Sequence, residues 1–124
     1  MRAVVLLLVA ACETGGGGET VQVDAAPDAT VIPVVALSSC PSSVAGTVTD
    51  TPTMFVPKET TIMLHQVVKF VITSEHFVLP NTLVNTDQVL RVDRGETKCF
   101  QFNVRATFGF LCGAHGFTGT ITVQ

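Results

Sequence analysis

Apolar and polar residues alternate in short runs along the chain from about residue 31 onward. The clearest run is VVKFVIT at 67–73, in which Val68, Phe70 and Ile72 fall on one face and the remaining residues on the other. This period of two is typical of a half-buried β-strand. The run therefore predicts a strand with one face toward a core.

The same pattern predicts roughly seven or eight short strands, at about ten-residue spacing, and no convincing helix. We place strands at 42–50, 60–64, 67–73, 89–92, 97–104, 107–112 and 120–124, and the apolar run resumes at 77–79. The apolar segment 31–37 contains a proline and is either the end of a linker or an edge strand. This arrangement favours an all-β fold, a Greek-key β-sandwich of seven to eight strands.

Length and charge limit the number of domains and the classes of partner. The chain has 124 residues, enough for one domain, and 47% hydrophobic against 14% charged residues indicates a globular protein. The net charge is -3 and no basic run occurs, so the sequence predicts no nucleic-acid partner.

The N-terminus has the features of a targeting segment. Arg2 precedes a short apolar run at 4–9 that is too short to span a bilayer as a helix. The small residues before Cys12 resemble the bacterial lipoprotein box, which predicts a signal peptide over 1–11 and a lipid on Cys12. The alternative is a truncated secretory leader with an incidental cysteine.

The next segment, 12–30, contains four consecutive glycines, four acidic residues and no basic residue. Such a composition buries too little apolar surface to fold, which predicts a flexible linker. Residues 31–124 contain six acidic and six basic residues, so the predicted domain is close to neutral and the negative charge belongs to the linker.

One cysteine and two histidines suggest a metal centre. Cys112 and His115 lie three residues apart in a loop between two predicted strands, and His76 follows the clearest strand. A thiolate with two imidazoles is the ligand set of a trigonal copper site of the electron-transfer kind. The alternatives are that Cys112 is a buried apolar residue or a disulfide partner, or that the group holds zinc with a fourth ligand.

Three segments in fixed order resemble the cupredoxins, the small blue copper proteins. They are VVKFVITSEHFVLP at 67–80, RGET at 94–97 leading to Phe100, and TFGFLCGAH at 107–115. The resemblance covers about 60–123. It implies a cupredoxin-like sandwich, one type 1 copper bound by His76, Cys112 and His115, and an apolar patch around a surface imidazole, formed by Leu79, Ala114 and Phe117.

The axial ligand is where the chain departs from this family. Plastocyanin-like proteins carry a methionine five residues after the second histidine, where this chain has Thr120, and amicyanin-like spacing gives Thr118. The thioether is absent there. The remaining candidates are a hydroxyl of Thr120 or Thr118, the carbonyl of Glu75, or no axial ligand.

The four cysteines are consistent with this reading. If Cys12 carries lipid and Cys112 binds metal, Cys40 and Cys99 remain, and we predict that they form a disulfide in an oxidising compartment. His65 is predicted to be a surface turn residue rather than a ligand.

These observations predict an electron carrier and not an enzyme. We expect a monomer in the bacterial cell envelope, held at the membrane only by its lipid, exchanging single electrons with redox partner proteins. Two alternatives stay open: a copper-handling module without a redox role, and a copper-free structural or recognition module on the same scaffold.

Overall fold

The structure is a computed structural model that describes residues 31–84 and 87–124. Contacts divide the chain into Met1–Val31 and Ile32–Gln124, and the fold reported below is that of the second unit. The predicted signal peptide, Cys12 and the predicted linker lie outside the described residues. Within the described ranges, no helix has the length and apolar character needed to cross a membrane.

The described residues form nine β-strands. They are β1 (Val34–Ala36), β2 (Gly46–Asp50), β3 (Phe55–Val56), β4 (Glu59–Ile62), β5 (Val67–Val71), β6 (Val78–Pro80), β7 (Thr97–Phe102), β8 (Thr107–Cys112) and β9 (Thr118–Val123). Threonine, valine and phenylalanine dominate these segments, as expected for residues that suit a pleated, half-buried surface.

The strands form two sheets. The first sheet has the order β4-β9-β8-β6 and the second the order β1-β7-β5-β2-β3. Most neighbours are antiparallel, but β4 pairs with β9 and β2 pairs with β5 in parallel. The parallel pair in the second sheet brings the carboxyl ends of β2 and β5 to the same edge, close to the region described below as the metal centre.

Aromatic side chains from the two sheets meet in the core. Phe70 of the second sheet contacts Phe110 of the first edge-on at 5.1 Å between ring centroids, and Phe102 contacts Phe108 at 5.3 Å. The core consists of the buried apolar residues of the strands and of the loops beside them, which are Val34, Val48, Phe55, Ile62, Val68, Phe70, Ile72, Val78, Leu90, Val92, Phe100, Phe102, Phe108, Phe110, Cys112, Ile121 and Val123. The molecule is therefore an all-β sandwich, which confirms the predicted fold class.

The structure adds a strand that was not predicted, β3, and several strand boundaries differ from the prediction. Residues 31–37 do contribute an edge strand, β1, and the last strand begins at Thr118 instead of residue 120. The predicted strand at 89–92 is wrong, because only Val92 makes an isolated bridge, to Val78. Local turn bonds from Leu90 and Arg91, to the carbonyls of Asp87 and Val89, use the amides that a strand would need.

The predicted disulfide between Cys40 and Cys99 is present, with 5.3 Å between the two Cα atoms. Cys99 is buried in the middle of β7, and its carbonyl accepts a hydrogen bond from the amide of Leu37. The bridge therefore ties the segment after β1 to the strand beside it.

His65 lies in an exposed turn between β4 and β5, as predicted. Its φ of 72° is in the left-handed region, and its ring Nδ1 is 3.0 Å from Oδ1 of Asn103. His65 therefore belongs to the turn, and its ring is paired with Asn103.

Candidate metal centre

Strand register explains why His76 lies near Cys112. β6 and β8 are antiparallel, with Val78 opposite Cys112. The segment from His76 to Val78 therefore runs beside the residues that follow Cys112. The amide of Gly113 donates to the carbonyl of Phe77 at 3.2 Å, which extends the contact past the end of the ladder.

The loop after β8 brings His115 to the same place. The Cys112 amide donates to the carbonyl of Phe117, and the Gly116 amide donates to the carbonyl of Cys112, both at 2.8 Å. Gly116 has a φ of 80°, a conformation that suits a residue without a Cβ. This tight turn projects the side chain of His115 back over the sulfur.

His76, Cys112 and His115 converge. One potential ligand atom from each side chain lies within 4.8 Å of the other two. The Sγ of Cys112 is 3.8 Å from Nδ1 of His115. His76 is 2% exposed and Cys112 is fully buried, whereas His115 is exposed at the surface. The three residues proposed from the sequence are thus brought together by the fold.

Phe117 packs on both imidazoles. Its ring meets that of His76 edge-on, with centroids 5.1 Å apart, and lies parallel to that of His115 at 6.1 Å. On the other side it contacts Phe55 at 4.8 Å. Phe117 therefore connects the cluster to the aromatic core and covers the buried histidine.

Small and apolar residues lie next to His115 in the loop. Gly113, Ala114 and His115 are exposed, and Leu79 and Phe117 are half-buried beside them. A Cβ on Gly113 would lie 2.9 Å from Cδ1 of Leu79, so the loop rests directly on that side chain. Of the residues that the family resemblance places around the exposed imidazole, Ala114 and Phe117 lie in the same loop as His115, and Leu79 lies against Gly113.

Asp50 also belongs to this region, although the sequence did not indicate it. Its carboxylate Oδ2 is hydrogen-bonded to Nδ1 of His76, and both side chains are almost fully buried. The backbone amide and the hydroxyl of Thr73 also donate to this carboxylate, at 2.9 Å and 2.6 Å. Nothing local in the sequence marks Asp50, since its neighbours in the structure come from the parallel pairing of β2 with β5.

The pKa of Asp50 reflects two opposed influences. Burial is the largest and acts to raise the pKa, because it disfavours the charged form. The hydrogen bonds from the Thr73 hydroxyl, the His76 ring and the Thr73 amide, with the attraction of His76, together outweigh burial. They hold the pKa of Asp50 below its ordinary value of 3.8. The carboxylate is therefore ionised at neutral pH.

The pairing of β8 with β9 shows which face of the sheet carries the two threonines that are candidates for the axial ligand. Thr118 lies opposite Leu111 and Thr120 opposite Gly109, so both threonine side chains share the sheet face that is opposite to that of Cys112. The carbonyl of Glu75 accepts a hydrogen bond from Nη1 of Arg94 at 2.9 Å. The register therefore does not direct the hydroxyl of Thr120 or that of Thr118 toward the three converging side chains.

The donor set fits copper. A thiolate and two imidazoles suit copper in both oxidation states. Ions held by cysteine and histidine lie about 2.0–2.3 Å from each ligand atom, so neighbouring donors stand roughly 3.5–4 Å apart. The separation of Cys112 Sγ and His115 Nδ1, 3.8 Å, already has this value.

A structural zinc site fits less well, because it requires four protein ligands. Over residues 31–84 and 87–124, the group of converging potential ligands has three members. Cys40 and Cys99 are bonded to each other, and the His65 ring pairs with Asn103. None of the candidates for a fourth zinc ligand is thus available.

Comparisons with known proteins agree with this geometry at the level of the fold. No protein-family model matches the chain, and no curated protein sequence matches it. Among solved structures, the chain is similar to a reduced single-residue mutant of amicyanin, with a TM-score of 0.59 and 13% identity over 75% of this chain and all of that one. It is also similar to amicyanin from Paracoccus versutus, with a TM-score of 0.55 and 15% identity over 74% of this chain and 98% of that one.

A third similar structure is the reduced Cu(I) form of another amicyanin mutant, with a TM-score of 0.58 and 10% identity over 75% of this chain and all of that one. Amicyanin is a cupredoxin, so the chain has the cupredoxin fold. At these identities the similarity shows the fold alone. The His-Cys-His group that this fold brings together fits a blue copper site.

Proposed function

We propose that this protein binds one copper ion at a type 1 site and carries single electrons. The observation that supports the proposal is the convergence of His76, Cys112 and His115, within 4.8 Å of one another, on a cupredoxin fold. One of the similar amicyanin structures is a Cu(I) form, and this chain presents donor chemistry that suits the same metal.

The bound copper would supply a one-electron couple, Cu(II)/Cu(I), and the protein residues would keep its surroundings constant. Cys112 ends a buried strand, and the tight turn bonded to it holds His115. His76 is enclosed by Phe117 and by its hydrogen bond to Asp50. Ligands on rigid elements change little between oxidation states, which is the property that electron transfer requires.

Electrons would enter and leave at the exposed imidazole. His115 is the member of the cluster at the surface, and Leu79, Ala114 and Phe117 supply apolar surface around it. We propose that a redox partner protein docks on this patch. Because the sequence 31–124 is close to neutral, apolar contact is a better candidate for the docking force than charge.

The location of the protein is part of the same proposal. The segment before Cys12 resembles a lipoprotein signal, and the Cys40–Cys99 disulfide fits an oxidising compartment. A protein tethered by a lipid on Cys12 would work at the bacterial cell envelope, beside membrane-bound redox partners.

Optical and paramagnetic-resonance spectra of the purified protein loaded with Cu(II) test the copper site. We expect a strong visible band from sulfur-to-copper charge transfer and a narrow copper hyperfine splitting. Both features should be lost in Cys112→Ser. His65→Ala is the matched control, because that ring pairs with Asn103 in an exposed turn. A protein that stays colourless after loading and oxidation would contradict the proposal.

The lack of a methionine near the site supports a second candidate function, a copper-handling module without a redox role. Met54 and Met63 are 44% and 57% exposed and belong to other parts of the chain, and residues 116–124 contain no methionine. A copper site without a thioether is the feature that favours a copper-handling role. Rapid transfer of copper to a chelator, together with no reaction with oxidants or reductants, would support this role over electron transfer.

A further inference from the structure

The chain enters the sandwich at the end opposite to the metal centre. β1 is antiparallel to β7, with Val34 opposite Phe102, the last residue of β7. The first residue of β7, Thr97, lies opposite Val71, where β5 ends and the loop to His76 begins. A strand of six residues spans roughly 20 Å, so the point of entry is about one strand length from the metal end.

Hydrogen bonds hold several loops together around the point of entry. The side-chain amide of Asn103 donates to the carbonyl of Ile32 at 3.3 Å, and its backbone amide donates to that of Pro33 at 2.8 Å. The turn between β4 and β5 is joined to the end of β9, since the amide of Leu64 donates to the carbonyl of Gln124. We call this end of the domain the entry pole, which consists of residues 32–33, 41–45, 63–66, 103–106 and 124.

The entry pole carries no acidic side chain. Its formally charged side chain is the exposed guanidinium of Arg105, and the negative group is the carboxylate of Gln124, the last residue of the sequence. The metal end differs, because the loop after β5 and the turn before β7 carry three acidic residues and one basic residue, which are Glu75, Asp93, Glu96 and Arg94. A negatively charged surface would therefore repel the metal end more than the entry pole.

Apolar side chains are exposed at the entry pole. Ile32 is 61% exposed, and Met63, in the turn between β4 and β5, is 57% exposed. Exposed apolar residues also occur elsewhere, among them Leu83 at 91% and Met54 at 44%, so exposure alone does not select a surface. The entry pole is distinct because it combines exposed apolar side chains with the point of chain entry and a lack of acidic side chains.

The length of chain before the domain also favours this end. Residues 13–31 connect Cys12, the proposed lipid site, to Ile32. A flexible segment of that length has a root-mean-square end-to-end distance of roughly 25 Å. A lipid on Cys12 would therefore hold the entry pole near the bilayer, whereas contact through the metal end would require the segment to span the length of the sandwich as well.

We propose that the entry pole rests on the bilayer surface, with Ile32 and Met63 among the headgroups and His115 directed away from the membrane. This orientation deepens the proposed function and rests on the lipid at Cys12. Apolar side chains inserted beside a base that meets anionic headgroups are a usual means of surface binding. A redox partner would then reach His115 from the side away from the bilayer, roughly 20 Å or more above it.

Tryptophan fluorescence tests this orientation, because the sequence contains neither tryptophan nor tyrosine. Met63→Trp and Met54→Trp place the same probe at the entry pole and in the turn that follows β2 at the metal end. The full-length, lipid-bearing, metal-free protein is bound to vesicles of equal amounts of phosphatidylcholine and phosphatidylglycerol, with bromine on the acyl chains. We expect emission from Met63→Trp to move to shorter wavelength and to be quenched at least several-fold more than that from Met54→Trp.

Three results would overturn the proposal. The first is equal quenching of the two probes, or stronger quenching of Met54→Trp. The second is stronger quenching of Leu83→Trp than of Met63→Trp, which would mean that the domain lies on its side. The third is a shift of the Met63→Trp emission that needs no vesicles and grows with protein concentration, which would mean that a second copy of the chain covers the entry pole.

Two matched variants test the role of the pole itself. Ile32→Glu and Thr53→Glu each add one negative charge at an exposed position, at opposite ends of the domain. In the presence of Met63→Trp, we expect Ile32→Glu to reduce the quenching several-fold and Thr53→Glu to leave it unchanged. Circular dichroism confirms that both variants are folded. An equal loss in the two variants would mean that total charge governs the contact, and the entry pole would not be the binding surface.

The orientation and the proposed function are tested separately. The probes are read without metal, so a chain that binds no copper would contradict the function and leave the orientation measurable. If mass spectrometry finds no lipid on Cys12, the proposed location is wrong, and coupling Cys12 to a maleimide-bearing lipid supplies the tether for the same comparison, since Cys112 is buried. A lipid-bearing, vesicle-bound protein in which Met63→Trp is not quenched would contradict the orientation alone.

Discussion

The ring of Phe117 lies parallel to the imidazole of His115, with 4° between the two planes. The same ring meets His76 edge-on, and edge-to-face contacts of this kind are favourable beyond the area they bury. One side chain thus orients two of the three proposed ligands, although the ring itself has no group that binds metal.

Replacement of Phe117 by alanine should therefore affect the site more than the fold. The ring is half-buried, so we expect a loss of about 1–3 kcal/mol in the free energy of unfolding, less than for a fully buried phenylalanine. Copper transfer to a chelator should become at least several-fold faster, because water reaches His76. Urea unfolding and chelator kinetics measure the two effects.

Phe117→Leu is the matched variant, since it keeps an apolar side chain over His76 but removes the aromatic contacts. It should unfold at a urea concentration closer to that of the wild type and release copper at an intermediate rate. If both variants release copper at the wild-type rate, Phe117 does not protect the site.

The backbone at Gly113 is enclosed by side chains. A Cβ there would lie 2.2 Å from Cε2 of Phe77, and the guanidinium of Arg94 covers the same ring at 4.7 Å from its centroid. Gly113→Ala should therefore push Phe77 out or shift the loop between Cys112 and His115. We expect a changed visible spectrum and weaker copper binding.

Gly95→Ala is the control for Gly113→Ala. Gly95 has a φ of 73° and open space where a Cβ would be, in a turn that contributes no ligand. That substitution should cost roughly 1–2 kcal/mol of backbone strain and leave the copper spectrum unchanged. Equal spectral changes in both variants would mean that the spectrum reports global destabilisation.

The disulfide should stabilise the domain without contributing to the metal centre. Cys40 and Cys99 are separated by 59 residues, and closing a loop of that length is worth roughly 4 kcal/mol in the chain-entropy description. The double substitution of Cys40→Ser with Cys99→Ala removes the bridge. We expect a lower unfolding midpoint and an unchanged visible spectrum at a temperature where the variant is folded. A bleached or shifted copper band in the folded variant would show that the bridge does support the site.

The sequence predicted the fold class and the three converging residues for separate reasons. Strand period identified β5, β7 and β8, because their inward faces are apolar at every second position. Cys112 was predicted at the end of a strand and His76 just past the end of another. Since Cys112 and His76 follow their strands in the order seen in a known family, convergence was predictable without coordinates.

Asp50 was not predictable in this way. Its contact with His76 depends on β2 and β5 being parallel neighbours, and no periodicity in either strand encodes which strand lies beside it. Thr120 is the opposite case, because its spacing from His115 made it a candidate ligand from the sequence alone. The register of β9 against β8 puts the Thr120 side chain on the face opposite to Cys112, and a ligand spacing along the chain carries no information about that register.

The different burial of the two histidines gives the last prediction. His115 is exposed, whereas His76 is 2% exposed and enclosed by Phe117 and Asp50. His115→Gly should leave an open position that imidazole added to the solution can reach. We expect added imidazole to restore the visible copper band in this variant.

His76→Gly should not be restored in the same way. The space it leaves is covered by Phe117, and the carboxylate of Asp50 would lose its buried partner, so the local structure should rearrange. Titration of imidazole into both Cu(II)-loaded variants, followed by visible absorption, makes the comparison. Equal recovery in the two variants would mean that both rings are accessible from solvent, which contradicts the assignment of His115 as the surface ligand through which electrons pass.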